Sequence, residues 1–209
     1  MLNKIFKKIK KQNRGYTIIE MLVSISIIAV ISGIYLMNYK AADNQFLLDQ
    51  AVQQLAGDIR RAQNYALGQK EFNDSPPAGG WGLFFEINPP NNQYYVLFAD
   101  VDGDNFYSGS TENFGNGNKK KINFPEKIDI DNVIITKSSG PSEINKNTIT
   151  FKAPDAFIQI CDMAGPSCNE ISDDYYEMKI IVDDDIRPNK TGNTRSITIN
   201  KYGLIDIEH

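Results

Sequence analysis

The sequence predicts an α+β fold in which a long N-terminal helix packs on antiparallel β-sheet. Three observations carry this expectation. From Tyr16 to Met37 the chain is apolar, and Glu20 is the only charge in those 22 residues. From Leu48 to Ala66 apolar residues recur at helical spacing. Beyond a Pro- and Gly-rich break in Phe72–Gly80, the pattern changes to short aromatic and β-branched runs separated by turn residues, which is how strands read.

The first element is set by charge. Lys4, Lys7, Lys8, Lys10, Lys11 and Arg14 precede the apolar run, and no acid lies among them. A run of this length crosses a bilayer as a helix. The basic flank keeps the N-terminus in the cytoplasm and sends the rest outward. Glu20 stands out, because an acid in a membrane helix costs about 2.5–3.5 kcal/mol at the bilayer centre and less toward the interface. No Lys or Arg lies one or two turns further along the run. Its partner must come from another chain or from a charge made by processing.

Gly15-Tyr16-Thr17-Ile18-Ile19-Glu20 resembles the processing motif of type IV prepilins: Gly, an aromatic residue, Thr, two apolar residues and Glu. The resemblance implies cleavage between Gly15 and Tyr16 by a prepilin peptidase, then N-methylation of Tyr16. It also implies that Glu20 pairs with the N-terminal amine of a neighbouring subunit in a filament. Tyr16 departs from the commoner Phe but keeps the ring. The implied partners are other pilin or pseudopilin subunits, the peptidase and an inner-membrane assembly platform. The implied location is the bacterial inner membrane, N-in and C-out in a single pass, followed by a filament. A secretory signal would instead need a small-residue cleavage site after the apolar core, and Ile31-Ser32-Gly33-Ile34 is a poor one. The chain thus divides into a cleaved leader (1–15), an assembly half-helix (16–38), an amphipathic continuation (39–70) and an extracytoplasmic β-rich domain (71–209).

The continuation is argued from Leu48, Val52, Leu55, Ile59, Ala62 and Ala66, whose steps of three and four place them on one helix face. Asp49, Gln53, Asp58, Arg60, Arg61 and Gln63 fill the other faces. No Pro interrupts residues 41–69, so a continuous helix from Tyr16 to about Gln69 would be roughly 80 Å long. Gly68 is the expected stop.

Trp81–Ile87 and Gln93–Ala99 read as a hairpin, with Trp81 as a core anchor. Asp100-Val101-Asp102-Gly103-Asp104 follows, with carboxylates at alternate positions like the start of an EF-hand calcium loop. The match is partial: Gly falls at the fourth position, and Glu112 lies one beyond the twelfth. Asp100, Asp102, Asp104, the Phe106 carbonyl and Glu112 are the candidate calcium ligands; the other reading is an acidic solvated turn. Lys119-Lys120-Lys121 reads as a solvated face. Further strands are expected at 128–136, 148–151, 156–160 and 176–182. A closing hairpin joins Arg195–Asn200 to Leu204–Ile207, with Ile197, Ile199, Leu204 and Ile207 expected inside. Cys161 and Cys168 flank a Gly-Pro turn in the exported part, where a disulfide is permitted; two reduced thiols are the other reading.

Several segments resemble the H-type minor pseudopilins and minor pilins: Arg60-Arg61-Ala62-Gln63-Asn64-Tyr65-Ala66, Trp81-Gly82-Leu83-Phe84-Phe85, the Phe98-Ala99-Asp100 strand end and the closing hairpin. With the N-terminal motif, they imply a pilin-like fold and a minor subunit of a type II secretion or type IV pilus system.

No catalytic constellation appears in the sequence, and its one His is the last residue, His209, so no enzymatic activity and no required cofactor are expected. Without the leader the chain holds 16 basic against 26 acidic residues, a formal −10, which disfavours binding to nucleic acid. Two other functions fit the sequence. One is a filament-tip module for DNA uptake or adhesion. The other is a membrane-anchored calcium-binding surface protein that never polymerises.

Overall fold

The computed structural model describes residues 15–109, 121–155, 157–162, 169–170, 175–184 and 193–208. The chain divides into two units between Ala42 and Asp43. Helix α1 (Ile18–Leu67) contributes residues to both.

In the first unit, Ile18–Leu36 is a helical stretch of 19 residues, long and apolar enough to span a membrane. At 1.5 Å per residue it rises about 29 Å, close to the hydrocarbon thickness of a bilayer. Its large side chains are all exposed, Ile18, Leu22, Ile28 and Leu36 among them. They require lipid or other helices as cover. Two hydroxyls inside the stretch bond back to their own helix: Ser24 Oγ donates to the Glu20 carbonyl and Ser26 Oγ to that of Val23, each at 2.8 Å. That satisfies them without water.

The second unit holds two antiparallel sheets. One contains β1 (Gly80–Glu86), β2 (Tyr94–Asp100), β3 (Lys121–Asn123), β6 (Lys146–Lys152), β7 (Phe157–Asp162) and β8 (Asn169–Glu170), in the order β3-β2-β1-β6-β7-β8. The other contains β4 (Asp129–Lys137), β5 (Gly140–Glu143), β9 (Tyr175–Asp183), β10 (Thr194–Asn200) and β11 (Ile205–Glu208), in the order β11-β10-β9-β4-β5. The α+β class is therefore as expected, with the strands divided between two sheets. Their main core joins the helix stripe (Leu48, Val52, Leu55, Ile59, Ala62 and Ala66, with Ala51 and Ala56 beside it) to Trp81, Leu83 and Phe85 of β1 and to Ile180, Val182, Ile197 and Ile199 of the second sheet. Trp81 is fully buried, and its indole N–H donates to the Lys70 carbonyl just past the helix end.

Unlike a half-buried strand, β1 is buried on both faces. Phe84 on its far face meets Val96, Phe98 and Cys161, and Phe106 and Tyr107 from the loop after β2 cover them.

One sequence expectation is corrected. Leu204 is exposed, and Ile205 is buried in its place. The Asn200 amide donates to the Leu204 carbonyl, so the turn takes up Leu204, and β11 pairs Ile199 with Ile205 and Ile197 with Ile207. Leu204 and Ile207 are three apart and cannot share a strand face. The polar residues on the other helix faces make specific contacts of their own. The Asp58 side chain is only 7% exposed, accepting the Tyr95 hydroxyl at 2.6 Å and pairing with Arg61 at 2.7 Å. Asp49 pairs with Arg195 of β10 at 2.8 Å. Gln63 donates to the Gly203 carbonyl at 2.8 Å. Burial, and after it the hydrogen bond to Asp58, raise the Tyr95 phenol far above its ordinary pKa.

Tyr95→Phe strips a buried carboxylate of a donor and is expected to cost about 1–3 kcal/mol of stability. Leu204→Ser is expected to stay within about 0.5 kcal/mol of the native protein. Urea unfolding of the detergent-solubilised chain, followed by Trp81 fluorescence, checks both.

Candidate functional site

Two places collect the residues singled out in the sequence. The first is the head of α1. Thr17 lies just before the helix, and its carbonyl accepts the first helical hydrogen bond, from the Met21 amide at 3.2 Å. The Glu20 amide donates to Thr17 Oγ1 at 3.3 Å. In return, the Thr17 amide and hydroxyl donate to Glu20 Oε2 at 3.2 and 3.4 Å. This reciprocal arrangement is a capping box, which satisfies amides left open at a helix start. Its signal, Thr followed three residues later by Glu, is present in the sequence, inside the motif Gly15–Glu20. Tyr16 is 83% exposed. A Cβ added at Gly15 would meet nothing within 4 Å, so packing places no demand for glycine there. The basic leader residues lie outside the described residues.

Residues 10–36 match a family model described as the prokaryotic N-terminal methylation motif. The chain carries a type IV pilin-like prepilin motif. No curated protein and no solved structure matches the chain. The prepilin motif spans Gly15, Tyr16, Thr17 and Glu20 together with most of the apolar stretch. With that stretch it fits anchoring in a membrane and assembly with pilin subunits.

The second place is the loop after β2. Asp100, Asp102 and Asp104 bring one carboxylate oxygen each within 4.8 Å of one another. Asp100 is fully buried; Asp102 and Asp104 are exposed. Asp100 closes the loop, its Oδ1 accepting the Gly103 amide at 2.8 Å and its Oδ2 the Asn105 amide at 2.9 Å. Gly79 gives the carboxylate room, since a Cβ there would sit 1.7 Å from Oδ2. Asn105, at φ 59°, takes the left-handed backbone region that Asn tolerates. Its carbonyl accepts Thr148 Oγ1 at 2.7 Å and its side-chain oxygen accepts Thr150 Oγ1 at 3.1 Å, both from β6. These bonds set Phe106 and Tyr107 over the sheet.

Three carboxylates so placed could hold a hard cation, with waters completing the six to eight oxygens that calcium takes. Glu112, the other carboxylate candidate, lies outside the described residues. Cys161 is buried and disulfide-bonded, whereas Cys168 lies outside the described residues.

Burial pushes the Asp100 carboxyl up to about 6 from 3.8; the Gly103 and Asn105 amides oppose the rise, and the charges of Asp104 and Asp102 add to it. Asp104 is also raised, first by burial. A carboxyl raised on folding holds its proton more tightly in the folded state. Its contribution is therefore full below pH 4 and is lost as pH rises through about 6. Asp100→Asn is expected to flatten this fall. Unfolding curves of both proteins from pH 4 to 7 measure the difference in slope.

Proposed function

We propose that the chain is a structural minor subunit, a pseudopilin or minor pilin, of a type II secretion or type IV pilus-like filament. The carrying observation is the prepilin motif over residues 10–36, with Glu20 the only charge in the apolar run it opens. The subunit is inserted N-in, cut between Gly15 and Tyr16, methylated at Tyr16 and drawn by an inner-membrane assembly platform into a helical fibre. Packing of the exposed half-helices supplies cohesion. Pairing of Glu20 with a neighbour's amine selects register, because an unpaired acid among packed apolar helices is penalised. The absence of Pro from the helix and the H-type resemblance support the minor role. The formal −10 without the leader weighs against a DNA-binding tip.

Glu20→Ala is expected to leave membrane insertion intact and to abolish incorporation into fibres. Fractionation of sheared fibres from membranes reads this. Unchanged incorporation would overturn the pairing role of Glu20, and absence of the native chain itself from the sheared fibres would favour a membrane anchor that does not polymerise.

Calcium is not required for this reading. The three carboxylates favour it as an added ligand, and binding to the folded state alone raises stability. Calcium is expected to raise the melting temperature at pH 7 and to do so less at pH 5, where Asp100 is largely protonated. Melting with calcium against chelator at the two pH values is the check, with Asp102→Ala/Asp104→Ala as the control that removes the response.

A further inference from the structure

The head of α1 carries more than the proposed intermolecular pair. Both of Thr17's donors go to a single oxygen of Glu20, Oε2. Among the described residues, Oε1 takes no hydrogen bond. The acid is thus half satisfied inside its own chain and half open.

We propose that Thr17 is the positioning residue for Glu20: its capping box holds Oε2 within the first helical turn while the subunit waits in the membrane, leaving Oε1 for a neighbour's amine. This rests on the filament reading given above. A carboxylate in an apolar helix needs donors before assembly as well as after it, since the lipid core supplies none. The Thr17 amide and hydroxyl supply them locally, and the partial positive charge at a helix N-terminus favours the same placement. Cleavage between Gly15 and Tyr16 leaves the Thr17 peptide N–H intact, so the box survives processing. It fixes the rotamer of Glu20, so the incoming amine meets a carboxylate already oriented.

Thr17→Val keeps the shape of the side chain and removes the hydroxyl; Thr17→Ser restores the hydroxyl. In the processed chain in phospholipid nanodiscs, amide hydrogen exchange at Glu20 is expected to quicken roughly fivefold in Thr17→Val, as on loss of an N-cap hydroxyl, and to return toward the native rate in Thr17→Ser. In the host, Thr17→Val is expected to be cleaved and inserted normally but to enter fibres several-fold less than the native protein, with Thr17→Ser recovering. Unchanged exchange, or unchanged incorporation, in Thr17→Val overturns the proposal. Glu20→Ala run alongside separates the two ideas. If it incorporates normally, the Glu20–amine pairing itself fails; if it does not and Thr17→Val does, only the positioning role fails; if the native chain itself is absent from fibres, the filament reading fails.

Discussion

A single carboxylate at the head of the otherwise uncharged apolar stretch Ile18–Leu36 constrains everything else about this protein. Hydrocarbon offers Glu20 no donors, so the chain must supply them or an assembly must. Thr17 supplies two. The remaining demand points outward, to another molecule. The large apolar side chains from Ile18 to Leu36 make the same demand in a different form, since each is exposed and requires lipid or a neighbouring helix.

The second unit meets its demands internally. The stripe from Leu48 to Ala66 is covered by both sheets, and polar contacts to three separate elements fix the helix segment over them. Asp49 reaches β10, Asp58 reaches β2, and Gln63 reaches the turn between β10 and β11. Apolar burial is non-directional and tolerates sliding, whereas hydrogen bonds at 2.6–2.8 Å do not. The same division holds at the acidic loop, where Phe106 and Tyr107 bury area and the Asp100 carboxylate sets the turn that presents them.

Features with a local cause were legible in the sequence. The helix stripe shows as steps of three and four, and the strands of both hairpins show as apolar runs bounded by turn residues. Features with a distant cause were not. Asp58 is buried because of Tyr95, 37 residues away, and no spacing announces that pair. The second covered face of β1 depends on a loop whose path is set by Thr148 and Thr150. Leu204 was misplaced through a single residue of turn length, which in a strand reverses inside and outside. The split into two sheets depends on long-range pairing that alternation alone cannot order. At the candidate site the acid was legible and its local partner was overlooked, although the Thr-x-x-Glu spacing stood in the sequence.

The central claim is that processing creates the counter-charge Glu20 requires. Mass spectrometry of the N-terminal peptide, from protein recovered in the membranes and fibres of its native host, tests it most directly. The account predicts a chain that begins at Tyr16 and carries one methyl group on its amine. Mature membrane protein that retains residues 1–15 would contradict it.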